Sequence, residues 1–187
     1  RTCFPGVDRM TAYARSHTIV RIKTPVLNQM AKIGLSRIHI GMESGSDAVL
    51  EKVSKGVTKA VHIKAGLRVK QAGIELSEYV MPGLGGIDYS IEHALETASA
   101  LNAINPDFIR IRTLAVTDGT ALSVEARRGE FEKPGDLMIA KELRLFLESL
   151  DGIDSTIKSD HILNLFETID GKLPEDKERL IHIIDRF

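Results

Sequence analysis

Two hydrophobic periods alternate between residues 10 and 114, and this alternation restricts the chain to few folds. Period-two stretches at Met10–Arg15, Arg37–Met42, Ile74–Met81 and Asp107–Leu114 read as strands. Helical stretches separate them. One covers Pro25 to Ile33, with Thr24 as N-cap, Pro25 at the first helical position and Gly34 as stop. A short helix begins near Asp47, after Ser46. A longer one runs from Lys59 to Ala72 between Thr58 and Gly73, with Val61, Ala65, Val69 and Ala72 as its buried stripe. Another places Ile91, Leu95, Ala98 and Leu101 on one face before Asn105-Pro106 breaks it. Strand–helix–strand order demands parallel strands with helical crossovers. A (β/α) barrel and an open doubly wound sheet both satisfy it. Four strands are too few for a complete barrel. The expected class is therefore α/β, a partial (β/α) TIM-type barrel with parallel strands over residues 1–116. Residues 117–187 read as a mainly helical C-terminal extension. It carries stripes at Ile139, Leu143, Phe146, Leu150 and at Leu180, Ile183, Ile184, Phe187, with a short strand placed at Ile153–Lys158.

Side chains alternate along a strand, so each strand presents two faces. One face is apolar: Ile38, Ile40 and Met42 on the second strand, Ile109 and Ile111 on the last, and Leu76 and Val80 on the third, where Glu78 interrupts it. The other is polar or mixed: Thr11, Tyr13 and Arg15; His39, Gly41 and Glu43; Ser77, Tyr79 and Met81; Phe108, Arg110, Arg112 and Leu114. Strands buried on both faces of a parallel sheet read as nearly continuous aliphatic runs, and these do not. The recurring polar face is expected to line a ligand cavity. The carboxyl ends of the strands, where parallel α/β folds bind ligands, carry Glu43-Ser44-Gly45, Met81-Pro82-Gly83-Leu84-Gly85-Gly86 and Thr113-Leu114-Ala115-Val116.

The net formal charge is −1, which gives no general attraction to nucleic acid or to an anionic membrane. No apolar run is long enough to cross a bilayer, and a cytoplasmic location is the default expectation. The single cysteine, Cys3, forms no Cys-x-x-Cys or zinc pattern. His17, His62, His93 and His182 lie among charged residues on helices or loops, without a metal-site context. Ser159-Asp160-His161 reads as a helix N-cap with a solvated His161. The chain opens at Arg1 rather than at Met and is read as a fragment.

The string Gly41-Met42-Glu43-Ser44-Gly45-Ser46-Asp47, inside Arg37–Leu50, resembles the fourth strand and following turn of radical S-adenosylmethionine (radical SAM) enzymes. Lys55-Gly56-Val57-Thr58, Ala72-Gly73-Ile74 and Met81-Pro82-Gly83-Leu84-Gly85-Gly86 follow at the family's spacing, and the match covers roughly residues 7–118. The resemblance implies a cofactor site. Glu43 would hydrogen-bond the ribose or amino-acid end of SAM, with Ser44 beside it, and Lys55 would pair with its carboxylate. Ser77 to Gly83, with Met81 and Gly83 as candidates, would flank the adenine, and the chain at Leu114 would read the adenine edge. Arg110 and Arg112 would meet either substrate or the SAM carboxylate. The family also uses a [4Fe–4S] cluster on a Cys-x-x-x-Cys-x-x-Cys loop, which this chain lacks; Cys3 does not substitute for it.

The expected function is that of the C-terminal portion of a radical SAM iron–sulfur enzyme acting on a small-molecule or unknown substrate, the fragment itself being inactive. The missing N-terminal segment of the same protein would be its partner. Two other readings stand beside it: a conventional barrel enzyme with Glu43 as acid or base, and a non-catalytic module for a nucleotide-like ligand. As plain residues, Glu43 also suits capping the helix at Asp47, Lys55 suits a solvated surface, and the two arginines suit pairing with Glu43 or Glu78.

Overall fold

The computed structural model describes residues 6–187; Cys3 lies outside the described residues. Five parallel strands lie side by side in the order in which they occur: β1 (Met10–Ala14), β2 (Leu35–Glu43), β3 (Glu75–Val80), β4 (Phe108–Ile111) and β5 (Thr156–Lys158). A short β6 (Asp170–Lys172) adds antiparallel to β5. Helices join them: α1 (Ser16–Arg21) and α2 (Thr24–Lys32), α3 (Asp47–Lys52) and α4 (Lys59–Gln71), α5 (Ser90–Ile104), then α6 (Ala121–Arg127) and α7 (Asp136–Ser149); α8 (Lys177–Asp185) ends the chain.

A doubly wound sheet reverses its strand order at a switch point; this sheet never does. The helices pack in the same succession, α1 on α4, α4 on α5, α5 on α7 and α7 on α8, as one outer layer. The result is an arc of a (β/α) barrel, as expected. The sheet also runs across the boundary read at residues 116/117. β5 pairs with β4 after the crossover through α7, so the segment read as a helical extension supplies a fifth barrel strand. The short strand placed at Ile153–Lys158 is this β5, and its pairing, not its existence, is what the sequence reading lacked.

The core lies between the arc and the helix layer. Ile38, Ile40, Met42, Leu76, Val80, Ile109 and Ile111 meet Ala65 and Val69 of α4, Ala98, Leu101 and Ile104 of α5, and Leu143 and Leu147 of α7. This is the apolar face read from the strands. The helix ends follow their capping residues: Ser46 and Thr58 accept hydrogen bonds from the N–H groups of Val49 and Val61. Ser46, not Glu43, therefore caps α3. α2 begins at Thr24 with Lys23 at the cap, one residue earlier than read, and α1 is an additional helix.

Two helix faces differ from the expected stripes. On α4, His62 and Gly66 are buried with Ala65 and Val69, while Val61 and Ala72 are only partly covered. On α5, Ile91 and Leu95 face solvent, whereas His93, Ala94, Thr97, Ala98 and Leu101 are buried. Polar groups occupy the inward side of α5 because the turn after β2 offers them partners. The Gly45 N–H donates to Thr97 Oγ1 at 2.9 Å. Among the described residues no helix is long and apolar enough to cross a membrane.

Gly45 is where this turn touches α5. A Cβ there would sit 2.6 Å from Thr97 Cα and against the Glu96 carbonyl, both backbone groups that cannot step aside. Gly45→Ala is expected to destabilise the chain by about 1–3 kcal/mol, the usual cost of overpacking; urea unfolding measures it.

Candidate functional site

β2 ends in a strained residue. Glu43 has a φ of 65°, rare for a side chain other than glycine or asparagine. The turn is held from both sides: the Glu43 carbonyl accepts the Met81 N–H at 2.9 Å and His93 Nε2 at 3.2 Å. It aims the Glu43 carboxylate over the carboxyl edge of the arc, where it pairs with the Lys55 ammonium. Gly41 makes room for that pair; a Cβ there would stand 3.1 Å from Glu43 Oε1 and 3.5 Å from Lys55 Nζ. Around them opens a cleft of about 410 Å³, lined also by Ala14, Arg15, Ser16, His17, Val53 and His62. That volume falls in the range of small-molecule sites.

Behind the cleft, Ser16 Oγ lies 2.6 Å from His62 Nδ1, and His62 Nε2 has no hydrogen-bond partner among the described residues. Burial, reinforced by the Lys55 charge and opposed by Asp47, pulls the His62 pKa down to about 4. At neutral pH the cleft therefore holds the neutral His62 imidazole and the Glu43–Lys55 pair, with the Arg15 cation at its margin.

A buried acid fixes the next strand end. Glu142 of α7, 4% exposed, accepts the Gly83 N–H through Oε1 at 2.7 Å and the Ser90 hydroxyl through Oε2 at 2.5 Å. His93 Nδ1 lies 3.1 Å from the same Oε1. Glu142 thus links α7, α5 and the turn after β3 and, through His93, the carbonyl of Glu43.

The inner face of the arc bears the expected polar rows. Parallel register places Tyr13, His39, Ser77 and Phe108 in one row and Gly41, Tyr79, Arg110 and Lys158 in the next. Tyr13 stacks on His39 at 4.9 Å and its hydroxyl meets that of Tyr79 at 3.4 Å. Burial, then the charges of Arg110, Arg37 and Arg112, hold the His39 pKa below its ordinary value. Arg110 and Arg112 bind Asp160, at 2.7 and 3.2 Å, rather than Glu43 or Glu78. Glu78 is fully buried on the helix side with no hydrogen-bond partner for either oxygen among the described residues; burial raises its pKa well above the ordinary range. The Lys55 charge and the Met42 backbone oppose that rise without cancelling it.

The sequence candidates fall into four places. Glu43 and Lys55 meet in the cleft, so Lys55 is not a freely solvated lysine. Ser77, Arg110 and Arg112 belong to the inner wall. Met81, Gly83 and Leu114 gather at the β3 and β4 ends, where Met81 and Leu114 pack with Leu84, Val49 and Phe131, and a Cβ at Gly83, whose φ is 88°, would touch Leu114 and Ile139. Ser44 is fully buried and accepts the Ser46 N–H at 3.0 Å; it shapes the turn and does not face the cleft. Residues 159–164 are not helical. Asp160 ties down both arginines, and Asn164 anchors the segment to β4 through Thr113 N and Ile111 O, each at 3.0 Å. Ser16, His62, His93 and Glu142 were missed. Glu142 was signalled by its place on the apolar stripe of Ile139, Leu143 and Phe146; His62 and His93 gave no such sign.

The cleft fits the amino-acid end of SAM. Lys55 complements a carboxylate, Glu43 complements an ammonium or ribose hydroxyls, and Gly41 leaves the space beside them open. The [4Fe–4S] cluster does not fit: among the described residues no group of three or more His, Cys, Asp or Glu side chains is placed to hold a metal.

Two measurements test this construction. Glu142→Ala strands the Gly83 N–H and the Ser90 hydroxyl and is expected to destabilise the chain by about 3 kcal/mol in urea unfolding. The second concerns pH. The folded pKa of His62 is about 4 against an ordinary 6.5, so the unfolded chain binds the extra proton between those values. Stability from this group is complete above pH 6.5 and falls by about 3 kcal/mol as pH drops towards 4. His62→Asn, which keeps an acceptor near Ser16, is expected to flatten that limb of the stability–pH curve.

No protein-family model matches the chain. A tRNA uridine(34) acetyltransferase from Methanocaldococcus jannaschii is 31% identical over 107 residues, covering 57% of this chain and 20% of that protein. The protein of the same name from Methanocaldococcus infernus is 30% identical with the same coverage. This chain thus spans about a fifth of the length of the curated relatives it matches. Among solved structures, the Methanocaldococcus infernus Elp3 with an N-terminal deletion superposes with a TM-score of 0.69 at 21% identity, covering 95% of this chain and 42% of that one. Coproporphyrinogen III oxidase (HemN) from Escherichia coli, a radical SAM enzyme, gives 0.57 at 16% identity over 76% of this chain and 32% of that one. Methylornithine synthase (PylB) gives 0.55 at 19% identity over 80% and 40%. With its sequential parallel arc and single helix layer, this chain has the partial (β/α) barrel fold of the radical SAM enzymes, which bears out the resemblance carried by the string from Gly41 to Asp47.

Proposed function

We propose that this chain is the SAM-binding arc of a radical SAM enzyme's barrel. The observation that carries the reading is the Glu43–Lys55 pair in the cleft at the carboxyl edge of β1 and β2. The amino-acid end of SAM is a zwitterion, and an ammonium beside a carboxylate complements it group for group. SAM held there would supply a 5′-deoxyadenosyl radical for hydrogen abstraction, given one electron from the iron–sulfur cluster and with methionine as the leaving group, and the protein's task would be to position it.

The chain's own residues have definite parts. Lys55 binds the carboxylate of SAM, and Glu43 accepts hydrogen bonds from its ammonium or ribose hydroxyls. The positive φ of Glu43 directs that carboxylate into the cleft, and Met81 and His93 keep the turn from relaxing. His62 closes the cleft with a neutral wall that leaves the charge pairing undisturbed. The iron–sulfur cluster would be ligated outside the described residues. The curated relatives are named for acetylating tRNA uridine; that activity belongs to proteins of which this chain matches a fifth, and the substrate here is left open.

The test is anaerobic turnover of the full-length protein with SAM and reductant. Release of 5′-deoxyadenosine is expected. Glu43→Ala and Lys55→Ala are each expected to lower it about tenfold or more, the worth of one hydrogen bond to a charged group, with iron and sulfide content unchanged. A full-length protein with neither cluster nor deoxyadenosine release would overturn the reading in favour of a conventional barrel enzyme using Glu43 as acid or base.

A further inference from the structure

We infer that the inner wall of the arc, at Arg110, Arg112, Tyr79 and Tyr13, is a binding site for a flat substrate bearing a carboxylate or phosphate, and that Asp160 occupies the anion position when no substrate is bound. As a substrate site it rests on the reading above; as an anion site it stands alone.

The first observation is charge. Two guanidiniums share one carboxylate: Arg110 Nη1 meets Asp160 Oδ2 at 2.7 Å and Arg112 Nη1 meets Asp160 Oδ1 at 3.2 Å. The other acids of this wall are already matched, Glu75 with Arg37 and Asp170 with Lys158. Glu43 is matched with Lys55. His39 and Tyr79 bring no negative charge: the pKa of His39 is lowered, first by burial, and that of Tyr79 is raised, again first by burial. These paired groups thus include one more cation than anion, before Arg15 at the end of β1 is counted.

The second observation is a row of polar atoms without partners. Arg110 Nε, His39 Nδ1 and Ser77 Oγ are buried and unsatisfied among the described residues. They come from neighbouring register positions on one face, where His39 pairs with Ser77 and Tyr79 with Arg110. Buried polar atoms are nearly always satisfied in native proteins, and three together on the face that looks into a barrel point to a polar occupant.

The third is that Asp160 is redundant as an anchor. Asn164 alone ties the segment to β4 and to Ser159 Oγ, and Leu165 N donates to Thr113 Oγ1 at 3.2 Å. Asp160 itself stays half exposed, on the solvent side of the arginine pair. An incoming oxyanion can take its place, because planar guanidiniums bind carboxylate and phosphate alike. The flat part of the ligand has its own surface: Tyr13 stacks inward on His39 yet is 76% exposed, and the Arg112 guanidinium lies 5.0 Å over the Tyr79 ring.

The test is calorimetric titration of this chain, without SAM, using phenyl phosphate, benzoate and inorganic phosphate as probes. Asp160→Asn is expected to tighten phenyl phosphate or benzoate about tenfold, and Arg112→Gln in that background to abolish the gain. A gain in affinity cannot arise from misfolding, which keeps the first variant decisive. Preference for phenyl phosphate assigns a phosphate, preference for benzoate a carboxylate. Binding no tighter in Asp160→Asn than in the parent sequence overturns the assignment, and equal affinity for phenyl and inorganic phosphate removes the flat group from it. No cofactor is present in the titration, so this inference can fail while the radical reading survives, and the reverse.

Discussion

The carboxyl group of Glu142 organises the carboxyl edge of this arc. It is one buried acid on the outer helix layer, yet it accepts from the backbone of the turn after β3 and from the first residue of α5, and it faces His93. His93 in turn holds the carbonyl of Glu43, the residue that ends β2. Two strand ends that are 40 residues apart in sequence (43 and 83) are thereby fixed to the same pair of helices. Buried polar groups are costly when partly satisfied and rigidifying when complete. Here the acceptor for the Gly83 N–H and the Ser90 hydroxyl comes from α7, which is why the segment after residue 116 belongs to the barrel in energetic terms as well as in strand pairing.

That rigidity has a local use. A left-handed backbone at a side-chain-bearing residue costs about 1–3 kcal/mol and persists only where the surroundings over-determine it. Glu43 meets that condition through Met81 and His93, and the strain turns its carboxylate away from the sheet and onto Lys55. Gly41 one step earlier on the same face, and Gly45 two residues later against α5, make the turn sterically feasible. The whole string from Gly41 to Asp47 is then a single device, with glycines for close approach, a strained acid paired with Lys55, and Ser44 and Ser46 for the helix start.

Much of this was legible in the sequence. The strands, their two faces and the caps at Ser46 and Thr58 follow from periodicity and local hydrogen-bonding chemistry, and the polar inner rows were visible as alternation. The phase of α5 was not, because its solvent side carries Ile91 and Leu95 while its buried side carries His93 and Thr97; only the partners on the neighbouring turn reveal that order. The short strand read at Ile153–Lys158 is β5, but its pairing with β4 was hidden by the crossover between them, and Asp160 by its distance, 48 residues or more from the arginines it joins. Of the candidate residues, Glu43 and Lys55 converge because one turn of strand and one short helix separate them. Ser44, chosen for its neighbour, proves to be an internal hydrogen bond of the turn.

The central claim is that the cleft at Glu43 and Lys55 receives the amino-acid end of SAM. The most direct measurement is an NMR titration of this chain with S-adenosylhomocysteine, which keeps the amino acid and the adenosine. The account predicts saturable shifts at the amides of Gly41 to Gly45, at the Lys55 ammonium and at the His62 ring, and their loss in Lys55→Ala. Shifts confined to the inner wall at Tyr79 and Arg110, or none at millimolar ligand, would contradict it.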